Sequence, residues 1–354
     1  MIEIVKGNIL EADAEALVNT VNCVGFMGKG IALQFKQAFP KNFKAYEAAC
    51  RVGRVLPGRM FIYENGRLIN PRYIINFPTK RHWRGNSRIA DIRSGLKALI
   101  TDIRKLGIRS VAVPPLGCGL GGLDWRQVRP MIEKAFSALP NVRVFLFEPV
   151  GTPAAKSMPV GTARPDMTPA RAMFVKLMDF YATLGYSRTL LEVQKLAYFL
   201  QEAGEPLRLR YESGHYGPYA TNLNKLLEVM EGHFIRGYGD SQRPYTEIEL
   251  LPGAVEEATS FLAGKVESLA RLKRVASLIE GFETPYGMEL LATTHWVAHR
   301  GGPENGRPAF NVEQAVSQIH AWNPRKLQVF KPEHIRVAWN HLVEQGWMSR
   351  FSGP

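Results

Sequence analysis

"NTVNCVGFMGKGIALQF", residues 19 to 35, and "PPLGCGLGGLDW", residues 114 to 125, each lead from a strand-like run through glycines into a helical pattern. Glycine lets the backbone approach a bound group closely, and a helix N-terminus then adds oriented N–H groups and partial positive charge. Either loop alone can be no more than a tight corner. Two in one small domain can take hold of a diphosphate from both ends. "GKGIAL" and "GCGLGG" begin like a dinucleotide fingerprint, but neither completes G-x-G-x-x-G followed by an acidic ribose ligand, and no Walker lysine follows.

Outward from the loops, "MIEIV", "ALVNT", "RMFIY", "RYIINF", "RSVAVP" and "VRVFLFE" are short β-branched or aromatic runs. Between several of them the spacing turns helical. Ile92, Leu96, Leu99, Ile100 and Ile103 share one face, and Asp124 can cap a helix whose Val128, Ile132 and Phe136 turn inward. Strands alternating with helices predict an α/β fold of three layers, with helices covering both faces of a mixed sheet, over residues 1–150. From 151 to 168 the periodicity breaks into Pro, Gly, Ala, Ser and Thr, the composition of a semi-extended linker. Residues 169–354 repeat apolar positions at helical spacing and predict a second, mainly α-helical domain.

The 354 residues suffice for two such cores. Three cysteines without a CxxC pair exclude a disulfide framework and a cysteine-rich zinc site, and they suit a reducing, cytoplasmic setting. No apolar run approaches a membrane span and no signal-peptide pattern opens the chain, so no membrane partner is expected. The net charge of +13 is unevenly placed. Residues 1–167 hold 25 Lys and Arg against 12 Asp and Glu, whereas the remainder holds 20 of each sign. A nucleic-acid or nucleotide ligand is therefore expected of the first domain, and a neutral surface of the second.

"GNIL", "NTVNCVGFMGKGIAL" and "PPLGCGLGGL", in that order, resemble the macrodomain, the ADP-ribose-binding fold. The resemblance covers about residues 1–150 and implies positions for the ligand. Asn8 and Ile9 would meet adenine, with Asn8 standing where the family usually carries Asp. Thr20, Val21 and Asn22 would line the distal ribose. Gly28, Gly30 and Ile31 would flank the diphosphate from one side, and Gly117, Cys118, Gly119, Leu120 and Gly121 from the other.

"INFPTKRHWRGNS" places Lys80 just past a strand end, followed by Arg81, His82, Trp83 and Arg84. Read from the residues, Lys80 is either a cation for DNA phosphate or a reactive amine at a pocket mouth. Trp83 can offer its face to an unstacked base or pack on the sheet. Within the macrodomains the chain resembles the DarG family, antitoxins paired with DarT-like toxins, in a branch that uses a catalytic lysine. That resemblance implies Lys80 as the nucleophile that removes ADP-ribose from thymine bases of single-stranded DNA. Asn22 would orient the sugar, and Arg81, Trp83 and Arg84 would hold the strand. Either burial or nearby cations (Arg81, Arg84 and Lys29) must favour the neutral amine. An ADP-ribose reader without catalysis, and a hydrolase acting on modified protein, remain alternatives.

No cofactor and no metal are expected. His295 and His299 are spaced i, i+4, but Glu289 is not in an HExxH frame. "KLAYF" and "HYGPY", within residues 190–228, resemble the Panacea, or SocA-like, domain of antitoxins. This implies that the second domain binds the cognate DarT-like toxin. Tyr211, Tyr216 and Tyr219 could form the partner surface or pack in the core.

Overall fold

A computed structural model describes residues 1–66, 69–149, 158–183, 188–239, 247–303 and 306–348. The chain forms two compact units, one built on Met1–Arg164 and the other on Pro165–Tyr238 and residues from 247 onward. No described helix is long and apolar enough to cross a membrane.

In the first unit the order is β1 (Ile2–Val5), β2 (Ala16–Asn22), α1 (Gly30–Ala38), α2 (Pro40–Arg51), β3 (Phe61–Glu64), β4 (Tyr73–Lys80), α3 (Ile89–Leu106), β5 (Ser110–Val113), α4 (Trp125–Phe136) and β6 (Arg143–Phe147). The six strands make one sheet in the order β1-β6-β5-β2-β4-β3. All pairings are parallel except β3 against β4, so the sheet is mixed. Alternation sets the layers. Ala16 and Val18, Ile75 and Phe77, and Val111 and Val113 join the apolar faces of α3 and α4. The residues between them, Leu17, Ile74 and Ala112, join Phe35 and Ala38 of α1. Both faces of the central strands are thus buried, which explains their nearly continuous apolar sequence. The fold is the expected three-layer α/β macrodomain.

Parallel strands bring their C-terminal ends to one edge, where ligands of such sheets bind. The adjacent strands β5, β2 and β4 end there, and the loops that follow them carry both glycine stretches and the Lys80 segment. A buried amide network ties β2 and β4 to α2 and β3. Asn19 Nδ2 donates to Asn76 Oδ1 (3.0 Å), and Asn76 Nδ2 donates to Asn42 Oδ1 (2.7 Å) and to the Phe61 carbonyl (3.1 Å).

Lys80 closes β4 rather than lying beyond it. Val21 pairs with Pro78 and Asn22 with Lys80, so Thr79 is an extra residue in a bulge. Pro78 lacks an N–H for the ladder, and the bulge is how the strand continues past it. In the expected linker, residues 150–157 lie outside the described ones. Residues 158–164 are not a free spacer. The Gly161 N–H donates to the Gln37 carbonyl (2.7 Å), taking up an orphan group at the end of α1, and Met158 is buried against Asn8.

The described part of the second unit is mainly helical, with two short antiparallel strand pairs. Tyr211–Gly214 pairs antiparallel with Gly217–Ala220, so "HYGPY" forms the turn of the first. Tyr211 is core, edge-on to Tyr198 at 5.1 Å, and Tyr216 lies under the Arg325 guanidinium at 4.7 Å. Of the three tyrosines only Tyr219 is exposed, so they do not present one shared face.

Candidate active site

Lys80 and Asn22 are register partners at the ends of neighbouring strands, and each starts a loop. From Lys80 the side chain reaches across to the second glycine loop, where its Nζ donates to the Leu120 carbonyl. Leu120 in turn faces the first loop, because a Cβ added at Gly30 would stand 3.4 Å from Leu120 Cδ1. The amine therefore sits where both glycine loops converge. Burial pushes its pKa below the ordinary lysine value. Of the two causes expected from the sequence, burial is the one at work. Arg81, one of the cations expected to press on the amine, turns instead to Asp91 in the first turn of α3.

The second loop is shaped around Ser87. A Cβ at Gly121 would fall 2.3 Å from both the Gly117 carbonyl oxygen and Ser87 Oγ, so only glycine fits there. The Ser87 N–H donates to the Gly121 carbonyl (2.9 Å), and the Leu123 N–H donates to the Gly117 carbonyl (3.0 Å). Successive carbonyls, of Leu120 and Gly121, thus hold Lys80 and Ser87. Cys118 and Cys23 have pKa values raised to about 11 by burial, so both stay protonated at neutral pH and neither is a nucleophile.

The Asn22 side chain is engaged by its own loop. Its Oδ1 accepts from the N–H groups of Val24 (3.0 Å) and Phe26 (3.3 Å) and from the Tyr46 hydroxyl (3.2 Å), and its Nδ2 donates to the Phe26 carbonyl (2.6 Å). What remains for a sugar is the second Nδ2 hydrogen. Val21 packs into the core with Met27, Tyr46, Ala49 and Val55, leaving only its backbone for a ligand, while Thr20 is half-buried. Asn8 caps the 3₁₀ turn Ile9–Glu11 by accepting from the Leu10 N–H (3.1 Å), and its Nδ2 lies 3.4 Å from Met158 Sδ. Ile9 is buried beside it, and Ile31 packs against the same cluster. Gly28 and Gly30 lead into α1, whose N-cap residue Lys29 makes no side-chain cap.

Arg81, expected on the DNA strand, is bidentate to buried Asp91, with Nε to Oδ2 at 3.2 Å and Nη2 to Oδ1 at 3.1 Å. Its charge pins the loop to α3. Arg84 is exposed and stacks over Trp83 at 4.6 Å. Trp83 is half-buried. It meets His82 (ring centroids 5.4 Å) and Phe26 (6.0 Å). Phe26, Ser87, Asp91 and Tyr46 escaped the sequence reading. Phe26 stands in a loop that the sequence offers chiefly for its glycines, so it drew no notice.

In the second unit, His295 is buried against the Tyr198 hydroxyl (2.8 Å) and His299 meets the Trp347 carbonyl (3.0 Å). Among the described residues no group of His, Cys, Asp and Glu could hold a metal ion.

A model of the Macro domain family matches residues 18–132. A DNA ADP-ribosyl glycohydrolase of Thermus aquaticus is 48% identical over 98% of this chain and 94% of its own. A DNA ADP-ribosyl transferase–DNA ADP-ribosyl glycohydrolase fusion protein of Thermosipho africanus is 36% identical over 39% of each chain. Among solved structures, the macrodomain of Mycobacterium tuberculosis DarG is 56% identical, covering 42% of this chain and 99% of that one, with a TM-score of 0.42.

Proposed function

The chain belongs to the DarG family of DNA ADP-ribosyl glycohydrolases, and from that premise we propose that Lys80 cleaves the bond between ADP-ribose and a thymine base of single-stranded DNA. The reading rests on one observation: a partly buried amine held between two glycine loops, its pKa lowered by that burial. The loops clasp the diphosphate and present the anomeric carbon of the distal ribose to Lys80. The neutral amine attacks that carbon, and the bond to the base nitrogen breaks. Its electron pair leaves with the base, which takes up a proton. Water then resolves the lysine adduct, returning the amine and releasing ADP-ribose. Single-stranded DNA is the fitting substrate, because ADP-ribose on a pairing edge cannot enter a duplex.

Incubating the chain with single-stranded oligonucleotides and with proteins, both carrying ADP-ribose, tests this. Release from DNA and not from protein is expected. Binding without release would leave a reader, and release from protein alone would overturn the DNA assignment.

The clasp makes a second demand. Gly121→Ala places a methyl against backbone and Ser87, an overpacking of about 1–3 kcal/mol that the loop relieves by leaving the shape that receives the diphosphate, so roughly 5- to 150-fold in affinity is at stake. ADP-ribose binding measured by calorimetry should weaken within that range. Unchanged affinity would remove the loop from the binding site.

The second unit we assign to binding a DarT-like toxin. Its balanced charge suits a protein partner, and the fusion relative joins transferase and glycohydrolase in one chain. The full chain carrying Lys80→Ala should still slow the toxin although it no longer reverses the modification. If that variant leaves the toxin at full speed, restraint by binding is excluded.

A further inference from the structure

We propose that Phe26 is the surface on which the modified base stacks, with Trp83 as its support. This rests on the functional reading above and names the part of the site that distinguishes DNA from free ADP-ribose. Asn22 and Lys80 end adjacent strands in register. Four residues after Asn22 comes Phe26, three after Lys80 comes Trp83, and their rings meet at 6.0 Å with a 40° tilt. An aromatic pair thus stands beside the point where the catalytic amine leaves the sheet. A base leaving the anomeric carbon there is next to it.

The two rings differ in what they have left to offer. Trp83 is half-buried and already engaged by His82, by the Arg84 guanidinium and by Phe26. Phe26 is 54% exposed, a large apolar ring turned to solvent. It is also firmly placed, since Asn22 grips its backbone on both sides, N–H and carbonyl alike. A rigid exposed ring loses little freedom when a base stacks on it, and a phenyl face accepts any base. The exposed Arg84 adds a cation beside the pair for the phosphate of the same strand. Asn22 accordingly acts on this platform as a positioning residue, in addition to any contact with the sugar.

The test compares wild type, Phe26→Ala and Phe26→Tyr full chains. The readouts are kcat/KM on an ADP-ribosylated single-stranded oligonucleotide and Kd for free ADP-ribose. Phe26→Ala should lose roughly 5- to 150-fold in kcat/KM, the size of one base stack, with Kd for free ADP-ribose within twofold and with Phe26→Tyr near wild type. An unchanged kcat/KM overturns the proposal. An equal loss of free ADP-ribose affinity also overturns it, since the ring would then only be shaping the glycine loop. If wild type releases nothing from the oligonucleotide, the functional reading itself fails and the stacking role falls with it.

Discussion

Replacing Lys80 with alanine should lower release of ADP-ribose from DNA by at least ~10³-fold, equivalent to about 4 kcal/mol of barrier, with affinity for ADP-ribose changed only a few-fold. The asymmetry follows from geometry. The lysine touches the clasp through one carbonyl, that of Leu120, while the clasp is held by Ser87 and by its own Gly117–Leu123 bond. Lys80→Arg should fail as well, because a guanidinium stays protonated and cannot attack. An ordinary lysine has a pKa near ~10.4, so under about one in a thousand is neutral at pH 7, and each unit of depression raises that fraction about tenfold. Burial shifts Lys80 in that direction. The single-turnover rate should therefore climb with pH and level off at a midpoint below the ordinary lysine value. Opening of the ribose ring in the lysine adduct, with the ring oxygen leaving as a hydroxyl, gives a Schiff base, and its reduction with borohydride during turnover should fix ADP-ribose on Lys80, visible as added peptide mass. Alanine turnover within tenfold of wild type would end the nucleophile assignment.

The six sheet strands were readable because each carries a run of β-branched or aromatic residues, with the central ones buried on two faces, and the glycine loops because Gly30 and Gly117 take left-handed dihedrals and Gly121 has no room for a side chain. The position of Lys80 was readable to within one residue. The bulge at Thr79 hid the rest, since a proline in "NFPTK" signals an end that the pairing then steps over. Arg81 was legible as a cation but not in its partnership. Asp91 is ten residues on, in the next helix, and only the fold brings the carboxylate back. Phe26 was hidden in a loop read for its glycines, and nothing local shows that Asn22, four residues earlier, would hold it. Linear order carries the elements. The side chains that finish the site meet across loops, where spacing is silent.

In the second unit the largest expected effect belongs to Glu289. Its buried carboxylate accepts from the partly exposed Arg325 guanidinium at 2.7 and 3.0 Å and from the buried Lys326 ammonium at 2.7 Å. Burial would raise this carboxyl, but Lys326 and Arg325 hold it below the usual carboxylate range. Lys326 also donates to Thr293 Oγ1 (3.1 Å) and lies over the Phe330 ring at 4.7 Å. Nearby Lys195 donates to the Pro218 carbonyl of the "HYGPY" hairpin (2.7 Å), and burial followed by Lys326 pushes its pKa down to about 7. Glu289 thus meets two cations directly and acts on a third, Lys195. Glu289→Ala takes the carboxylate away from the buried Lys326 ammonium, a change that costs about 3–5 kcal/mol. In a domain of this size that is a fall of roughly 6–20 °C in the melting temperature. Glu289→Gln, which can still accept from Lys326, should fall less. The sign of the pH effect is set by Lys195 and by Lys326, whose pKa burial lowers to about 8. Between about 7 and ~10.4 the unfolded chain holds protons that the folded chain does not, so stability should rise with pH through that window. Calorimetry of the full chain resolves both effects, because the change should appear in the second unit's transition while release by the Lys80 site continues. If the variant melts with wild type, the network is not holding the hairpin and helices together.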